Sequence, residues 1–304
     1  MSVFVIAEAG VNHNGDADRA RRMIDAAAEA GPDAVKFQTF RAEELAAAGA
    51  PKAGYQEAAT GTGESQLEML KGLELTRDAF RDLAGHCQSA GIRFMSTAFD
   101  ADSLDFLVGE LAMEIVKIPS GEITNGPLLL RAGQSGKRIV LSTGMSDMDE
   151  IEAALGVLAF GLTGASGAPG REAFARAFAS AAGRAALKDK VTILQCTSEY
   201  PAPAGRINLR AMHTMADRFG LAVGLSDHSA GTAVSIAAAA LGATVIEKHF
   251  TLDRSLPGPD HAASLEPGEL TAMVAAIREV EAAMGDGVKA PGAAERENAA
   301  AARR

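Results

Sequence analysis

Polar side chains of a restricted kind stand where short apolar runs of this sequence end. Glu8 closes the run Val3–Ala7; Lys36 and Gln38 end Ala34–Gln38; Thr97 follows Ile92–Ser96; Lys117 and Ser120 bracket the end of Ile115–Ile118. Ser142 and Thr143 end Ile139–Leu141, Thr197 and Ser198 end Val191–Gln195, Ser226 and His228 follow Ala222–Leu225, and Glu247, Lys248 and His249 complete Thr244–Glu247. A single lysine inside a strand is as readily a snorkelling surface group as a functional one. Two ammonium groups, Lys36 and Lys117, with the hydroxyls of Ser120, Ser142 and Ser226, would together neutralise and hydrogen-bond a phosphate and a carboxylate.

His228 and His249 follow neighbouring runs, so both imidazoles can project from one end. Two imidazoles with open positions suit a divalent ion such as manganese that must still bind water and a substrate oxygen, and Glu247 and Asp260 lie close by in sequence. His13, in VNHNG, is a weaker candidate ligand, and His86 and His213 sit in helical stretches and read as structural. The turn-rich segment LPGPDHAASLEPGEL predicts a structured loop on which Asp260 can accept a sugar hydroxyl. Tyr200, in SEYPAP, either leans on a sugar or packs beside a proline.

The elements that must position these groups alternate along the chain. Eight β-branched runs, those named above, are separated by helical patterns at Asp16–Ala30, Asp78–Ala90, Ser103–Leu111, Asp149–Phe160, Ser229–Leu241 and Pro267–Met284. No glycine fingerprint follows the first run, so an α/β (β/α)8 TIM barrel over residues 1–285 fits better than an open doubly wound sheet. In such a barrel catalytic groups come from the C-terminal strand ends, where the polar set lies. Arg41–Glu74 and Gly161–Lys190 exceed ordinary loop length. The first is read evenly as substrate wall or decoration, the second as decoration with an extra helix over Glu172–Leu187. Residues 286–304 read as linker or tail, with too few apolar residues to fold alone.

With 39 acidic and 29 basic residues and a formal charge of −10, the chain advertises neither a nucleic-acid surface nor an anionic-membrane partner. Cys87 and Cys196 lack C-x-x-C spacing, so a disulfide framework or structural zinc is not expected. No basic segment precedes the first apolar run and no run reaches the length of a spanning helix, which predicts a cytoplasmic protein.

Taken together, IAEAGVNHNGD, AVKFQTF, STAFD, KIPSGEITN, LSTGMS, QCTSEYPAP, GLSDHS and IEKHFTLDRSLPGPDHAAS closely resemble the sialic acid synthase family, collinearly from about Val3 to Arg296. The family includes N-acetylneuraminate and legionaminic acid synthases. The resemblance implies that Lys36, Thr97, Lys117, Ser120, Ser142 and Ser226 hold phosphoenolpyruvate, and that His228 and His249 bind a divalent metal, manganese first, with magnesium or cobalt as alternatives. It implies that Gln38, Tyr200, Glu247 and Asp260 approach an open-chain N-acyl aminosugar, that Glu8 is an active-site carboxylate, and that the protein is a homodimer. Glu8, Glu247 and Lys117 are then the catalytic set, and the implied reaction is condensation to a nonulosonic acid with release of phosphate. The SEYPAP form, the KAGYQ stretch at Lys52–Gln56 and the insertion before Lys190 look most like bacterial synthases acting on N-acetylmannosamine or its 2,4-diacetamido relative.

Family members usually continue into a small C-terminal antifreeze-like domain that contributes to sugar binding, and this chain stops at Arg304, within the corresponding linker. Two rival readings remain. One is a class I aldolase using Lys248 or Lys117 as a Schiff base; the other is a non-catalytic barrel that binds phosphosugars.

Overall fold

The computed structural model describes residues 2–303, and of Tyr55, Ala58 and Ala59 the backbone alone. The Tyr55 side chain in KAGYQ and the final tail residue, Arg304, therefore lie outside the described residues.

Eight parallel strands close into a barrel in chain order: β1 (Phe4–Gly10), β2 (Ala34–Thr39), β3 (Arg93–Ala98), β4 (Ile115–Ile118), β5 (Arg138–Ser142), β6 (Val191–Cys196), β7 (Ala222–Asp227) and β8 (Val245–His249), with β8 pairing back to β1. The helices between and beside them are α1 (Ala17–Ala30), α2 (Ala42–Leu45), α3 (Gly54–Thr60), α4 (Gln66–Leu73), α5 (Arg77–Ala90), α6 (Ala101–Asp105) and α7 (Gly126–Gln134). They continue with α8 (Met148–Thr163), α9 (Arg171–Ala179), α10 (Ala181–Lys190), α11 (Ala211–Phe219), α12 (Ala233–Ala240), α13 (Pro267–Ala283) and α14 (Ala293–Ala302). This is the (β/α)8 barrel expected from the alternation of runs.

The first unit shows how the sequence builds it. Asp16 accepts hydrogen bonds from the Asp18 and Arg19 N–H groups, a cap worth about 1 kcal/mol. Ala20, Met23, Ile24 and Ala27 then form one buried stripe, and Gly31, at φ 85°, takes the left-handed conformation that ends the helix.

Inside the barrel, the strand period of two sorts residues into a floor and a rim. Ile6, Ala34, Met95, Ile115, Val140, Leu194 and Val245 pack as an apolar layer within the barrel. Two positions further along each strand stand Glu8, Lys36, Thr97, Lys117, Ser142, Cys196 and Glu247, all buried. The register then sets these beside one another: Glu8 pairs with Lys36 on one side and His249 on the other, Gln38 with Thr97, Thr97 with Lys117, and Ser226 with Glu247.

Residues that alternate outward meet the helix layer. Asp227 and Lys248 form an ion pair of 3.0 Å with both side chains fully buried, and Ser235 of α12 donates to the same Asp227 oxygen at 2.6 Å. Lys248 also donates to the Ser229 carbonyl, while the Ser229 N–H caps Asp227 at 2.8 Å. A buried cation is tolerable only with such complete pairing. Lys248 is thereby excluded from the barrel mouth, which corrects its reading as a Schiff-base lysine.

Several elements differ from the sequence expectation. Every strand but β4 runs further toward its C-terminal end than the apolar run does, because the polar rim residues remain in the ladder. The helix expected from Ser229 begins only at Ala233, since Ser229 is taken up by Asp227 and Lys248. The helix expected over Ser103–Leu111 ends at Asp105 and widens into a π-turn over Phe106–Glu110 that lets Phe106 and Leu107 both be buried. The single helix expected over Glu172–Leu187 is two, broken at extended Ser180, whose side chain caps α10 through the Gly183 N–H. Within the tail, Ala293–Ala302 is helical and buries no residue.

Candidate active site

Glu8, Lys36, Gln38, Thr97, Lys117, Ser120, Ser142, Tyr200, Ser226, His228, Glu247, His249 and Asp260 all line one cavity of about 550 Å³ at the C-terminal mouth of the barrel. The strand ends and two loops bring these thirteen residues together, whereas His13, Thr143, Thr197 and Lys248 do not line the cavity.

The charged centre is a chain of buried pairs. Lys36 Nζ lies 2.6 Å from Glu8 and 3.7 Å from Glu247, and donates to Thr97 Oγ1 at 2.8 Å. Lys117 Nζ is 3.6 Å from Glu247 and donates to the Ile118 carbonyl at 3.1 Å. Ser226 donates to Glu247 at 3.1 Å, and Gln38 to Glu8 at 3.2 Å. On the opposite rim, the Gly144 N–H donates to Ser120 Oγ at 2.9 Å. The hydroxyl of Ser142 is buried with no hydrogen-bond partner among the described residues, and Oε2 of Glu247 and Nδ1 of His249 likewise lack a partner within hydrogen-bond distance. Unsatisfied groups of this kind are costly in a resting protein and mark positions where a ligand completes the hydrogen bonding.

The electrostatics divide the carboxylates. Burial raises the Glu8 carboxyl, Lys36 partly offsets this and Glu247 adds to it, leaving Glu8 at about 7. Burial would raise Glu247 too, but Lys117 and Lys36 outweigh it and hold Glu247 below its ordinary value. Burial alone places Asp260 at about 6 against the pull of His228. Lys36 is held above its ordinary value because Glu247 and Glu8 outweigh its desolvation, whereas desolvation wins at Lys117. At neutral pH the centre thus presents cationic Lys36 with an ionised Glu247 and a Glu8 poised to exchange its proton.

A stability consequence follows from Glu8. Its folded value of about 7 lies above its ordinary 4.5, so its contribution is fully present below pH 4.5 and is lost as pH rises through about 7. Wild-type protein is therefore expected to lose thermal stability relative to Glu8→Gln across that window. Paired melting curves between pH 4.5 and 8 check this, and a constant difference in Tm would contradict it.

The imidazoles fit a metal. His228 and His249 have ring centroids 5.4 Å apart, and Tyr200 lies 4.1 Å from the first and 5.8 Å from the second. Nδ1 of His228 donates to the Thr197 carbonyl at 2.7 Å, so Nε2 is the nitrogen that a metal would meet. Burial would lower this ring, but Cys196 and the Thr197 carbonyl outweigh it and hold it above its ordinary value, so a metal there would displace the Nε2 proton. Burial, then the charges of His228 and Lys36, hold His249 well below its ordinary value, so its ring is neutral and able to ligate. Asp260 Oδ2 lies 3.9 Å from His249 Nδ1. No group of three or more ligating side chains is preassembled among the described residues. The donor set fits an ion held by two imidazoles with open positions for water or substrate.

The other histidines do not join them. His13 accepts from the Gly15 N–H at 3.1 Å in the turn after β1, His86 pairs with Asp25 at 2.6 Å, and His213 meets the Leu241 carbonyl at 2.9 Å. Thr143 donates to the Leu194 carbonyl of β6, and Thr197 to the Arg206 carbonyl in the loop after it.

The first insertion forms a wall of the cavity: Leu45, Gln56, Gln66, Met69, Leu70 and Leu73 line it together with Phe99. α2 and α4 rest on a small core of their own, Val11, Phe40, Ala42, Ala46, Met69, Leu70 and Leu73. The sequence reading did not find these residues, because apolar side chains on a helix look like core whichever surface they cover. It also missed Cys196 and Met145, while Ser198, noted at the end of its run, does line the cavity. Cys196 had a signal, since it stands two residues after the floor residue Leu194. The second insertion packs outside the barrel, where Phe174 and Phe178 help line a separate cavity of about 870 Å³ that holds none of the strand-end polar groups.

Residues 23–289 match the NeuB family. The chain belongs to that family. An N,N'-diacetyllegionaminic acid synthase of Campylobacter jejuni is 46% identical over 97% of this NeuB-family chain and 81% of its own. A protein of the same name from Legionella pneumophila is 44% identical over 96% of the chain and 76% of its own. The crystal structure of an N-acetylneuraminic acid (sialic acid) synthetase from Leptospira borgpetersenii, in complex with citrate, matches with a TM-score of 0.78 and 34% identity, covering 100% of this chain and 93% of that one. The NeuB barrel described above thus has both sequence and structural relatives among nonulosonic acid synthases.

Proposed function

We propose that the protein condenses phosphoenolpyruvate with the open-chain form of an N-acyl hexosamine and water, giving a nonulosonic acid and phosphate. The observation that carries this is the junction, in one cavity, of Lys36, Lys117 and the Ser120, Ser142 and Ser226 hydroxyls with Glu247 and two imidazoles. A binding relic needs no buried acid poised near 7 beside them.

The two lysines and the hydroxyls hold the phosphate and carboxylate of the enol so that its C3 faces the aldehyde carbon, which is proximity catalysis. Attack forms the C–C bond and leaves positive charge at C2, which ionised Glu247 stabilises. Water adds at C2 and phosphate departs by C–O cleavage. Glu247 or Glu8 takes the water proton, and Glu8, at about 7, is matched to exchange a proton at neutral pH. A divalent ion on His228 and His249, with manganese preferred over magnesium or cobalt, would supply Lewis acidity toward the aldehyde oxygen.

The substrate is N-acetylmannosamine or 2,4-diacetamido-2,4,6-trideoxymannose. The wall of Leu45, Met69, Leu70, Leu73 and Phe99, with the amides of Gln56 and Gln66, favours the deoxygenated diacetamido sugar, as do the names of the two curated relatives. Beyond Lys36 and Lys117, no lysine or arginine lines the cavity among the described residues to hold a sugar phosphate. A homodimer and a cytoplasmic location complete the reading; both cysteines are unpaired and buried, and no described helix is long and apolar enough to cross a membrane.

Phosphate release from phosphoenolpyruvate, with each of these sugars and with N-acetylmannosamine 6-phosphate, tests the proposal. Release that depends on an unphosphorylated sugar is expected. Trapping of pyruvate by borohydride on Lys117, without phosphate release, would favour the aldolase reading instead.

A further inference from the structure

The turn after β1 and the loop after β8 are joined by side chains that the reaction itself does not employ. Asn12 Nδ2 donates to the Phe250 carbonyl and to Ser264 Oγ, each at 2.9 Å, and Ser264 donates in turn to the Asp260 carbonyl at 2.7 Å. Asn14 Nδ2 donates to the Pro257 carbonyl at 2.7 Å, which directs its oxygen to His261 Nε2 at 3.1 Å. An amide oxygen only accepts, so the His261 proton is on Nε2, and Nδ1 accepts from the Thr251 hydroxyl at 2.7 Å. The neutral ring this requires agrees with the effect of burial, which lowers His261 to about 4.

The loop is closed at its base by the Thr251 N–H to the Leu265 carbonyl and the Leu265 N–H to the His249 carbonyl, each at 2.9 Å. Arg254 ties its first half to the start of α13, through its N–H to Glu266 at 3.1 Å and its guanidinium to Glu269 at 2.6 Å, and the asparagines hold the half beyond it. With the two asparagines in place, the Asp260 carboxyl lies over the end of β1, where a Cβ added to Gly10 would stand 3.6 Å from it. Gly258 lets the chain pass: at φ 151°, a Cβ there would stand 2.7 Å from His261 and 2.9 Å from Asn14 Oδ1. Asn14 itself sits at φ 50°, a conformation asparagine tolerates.

We infer that Asn12, Asn14 and His261 form a clasp that holds the loop 251–264 over the barrel mouth and sets the place of Asp260, which makes Asn14 a positioning residue for the aminosugar half of the site. The sugar half of this statement rests on the proposed function, whereas the hold on the loop does not.

Asn14→Gly removes the clasping side chain in a conformation that glycine also adopts, and Gly258→Ala pushes His261 and Asn14 apart from the other side. Hydrogen–deuterium exchange on the full chain is expected to be faster by about tenfold or more in the 251–264 segment of both variants, with the barrel strands unchanged. The KM for the aminosugar is expected to rise by about tenfold while kcat and the KM for phosphoenolpyruvate stay within about twofold. Unchanged exchange in that segment would overturn the clasp. Faster exchange with an unchanged aminosugar KM would overturn the positioning of Asp260. Wild-type protein that released no phosphate with any aminosugar would sink the functional reading alone, because exchange would still decide the clasp.

Discussion

Lys36→Met is expected to lower kcat by about 10²- to 10³-fold, the size of effect seen when one electrostatic donor is removed from a developing charge. Lys36 is the cation shared by Glu8 at 2.6 Å and Glu247 at 3.7 Å. Its removal withdraws a phosphate donor and also leaves two buried carboxyl groups to repel each other. Breaking a buried pair in this way costs about 3–5 kcal/mol, so the melting temperature falls as well. Lys36→Arg separates the two effects: it keeps the charge but not the compact ammonium, so stability should recover further than activity. Activity within twofold of wild type in Lys36→Met would remove the lysine from the phosphate site.

The second large effect is expected on removing the divalent ion. Chelator-treated protein should release no phosphate, and manganese should restore it. His228→Ala and His249→Ala should each weaken manganese binding by more than the roughly 10- to 100-fold that loss of an outer-shell partner costs. The reason lies in the resting site, where His249 is neutral and its Nδ1 is buried without a hydrogen-bond partner among the described residues. Manganese titration followed by electron paramagnetic resonance reads this directly, without turnover. Wild-type binding in both variants would place the ion elsewhere.

How much of this was legible in the sequence depended on which residues announce themselves. A lysine or glutamate two positions after an apolar residue of a strand-like run is anomalous, so Glu8, Lys36, Lys117 and Glu247 could be picked out without coordinates. The same anomaly hid the strand ends: β7 and β8 run on through Asp227 and His249, past the last apolar residue, because parallel ladders take any side chain once both neighbours are in place. Lys248 misled for a related reason. Sequence gives its strand but not its face, and one step of the pleat puts it behind the barrel with Asp227 rather than in the mouth. The apolar wall from Leu45 to Leu73 was illegible, since burial against a substrate cavity and burial against a core leave the same pattern.

That wall stands on the separate cluster of Val11, Phe40, Ala42, Ala46, Met69, Leu70 and Leu73, while the groups proposed to hold phosphoenolpyruvate stand on the barrel rim over Ile6, Met95 and Leu194. The two halves of the chemistry therefore answer to different foundations. Drift in the insertion can retune which sugar is accepted while the phosphoenolpyruvate grip stays under independent constraint. One scaffold can in this way come to accept a range of sugars by revising a single peripheral segment, without reopening the problem of how to fold.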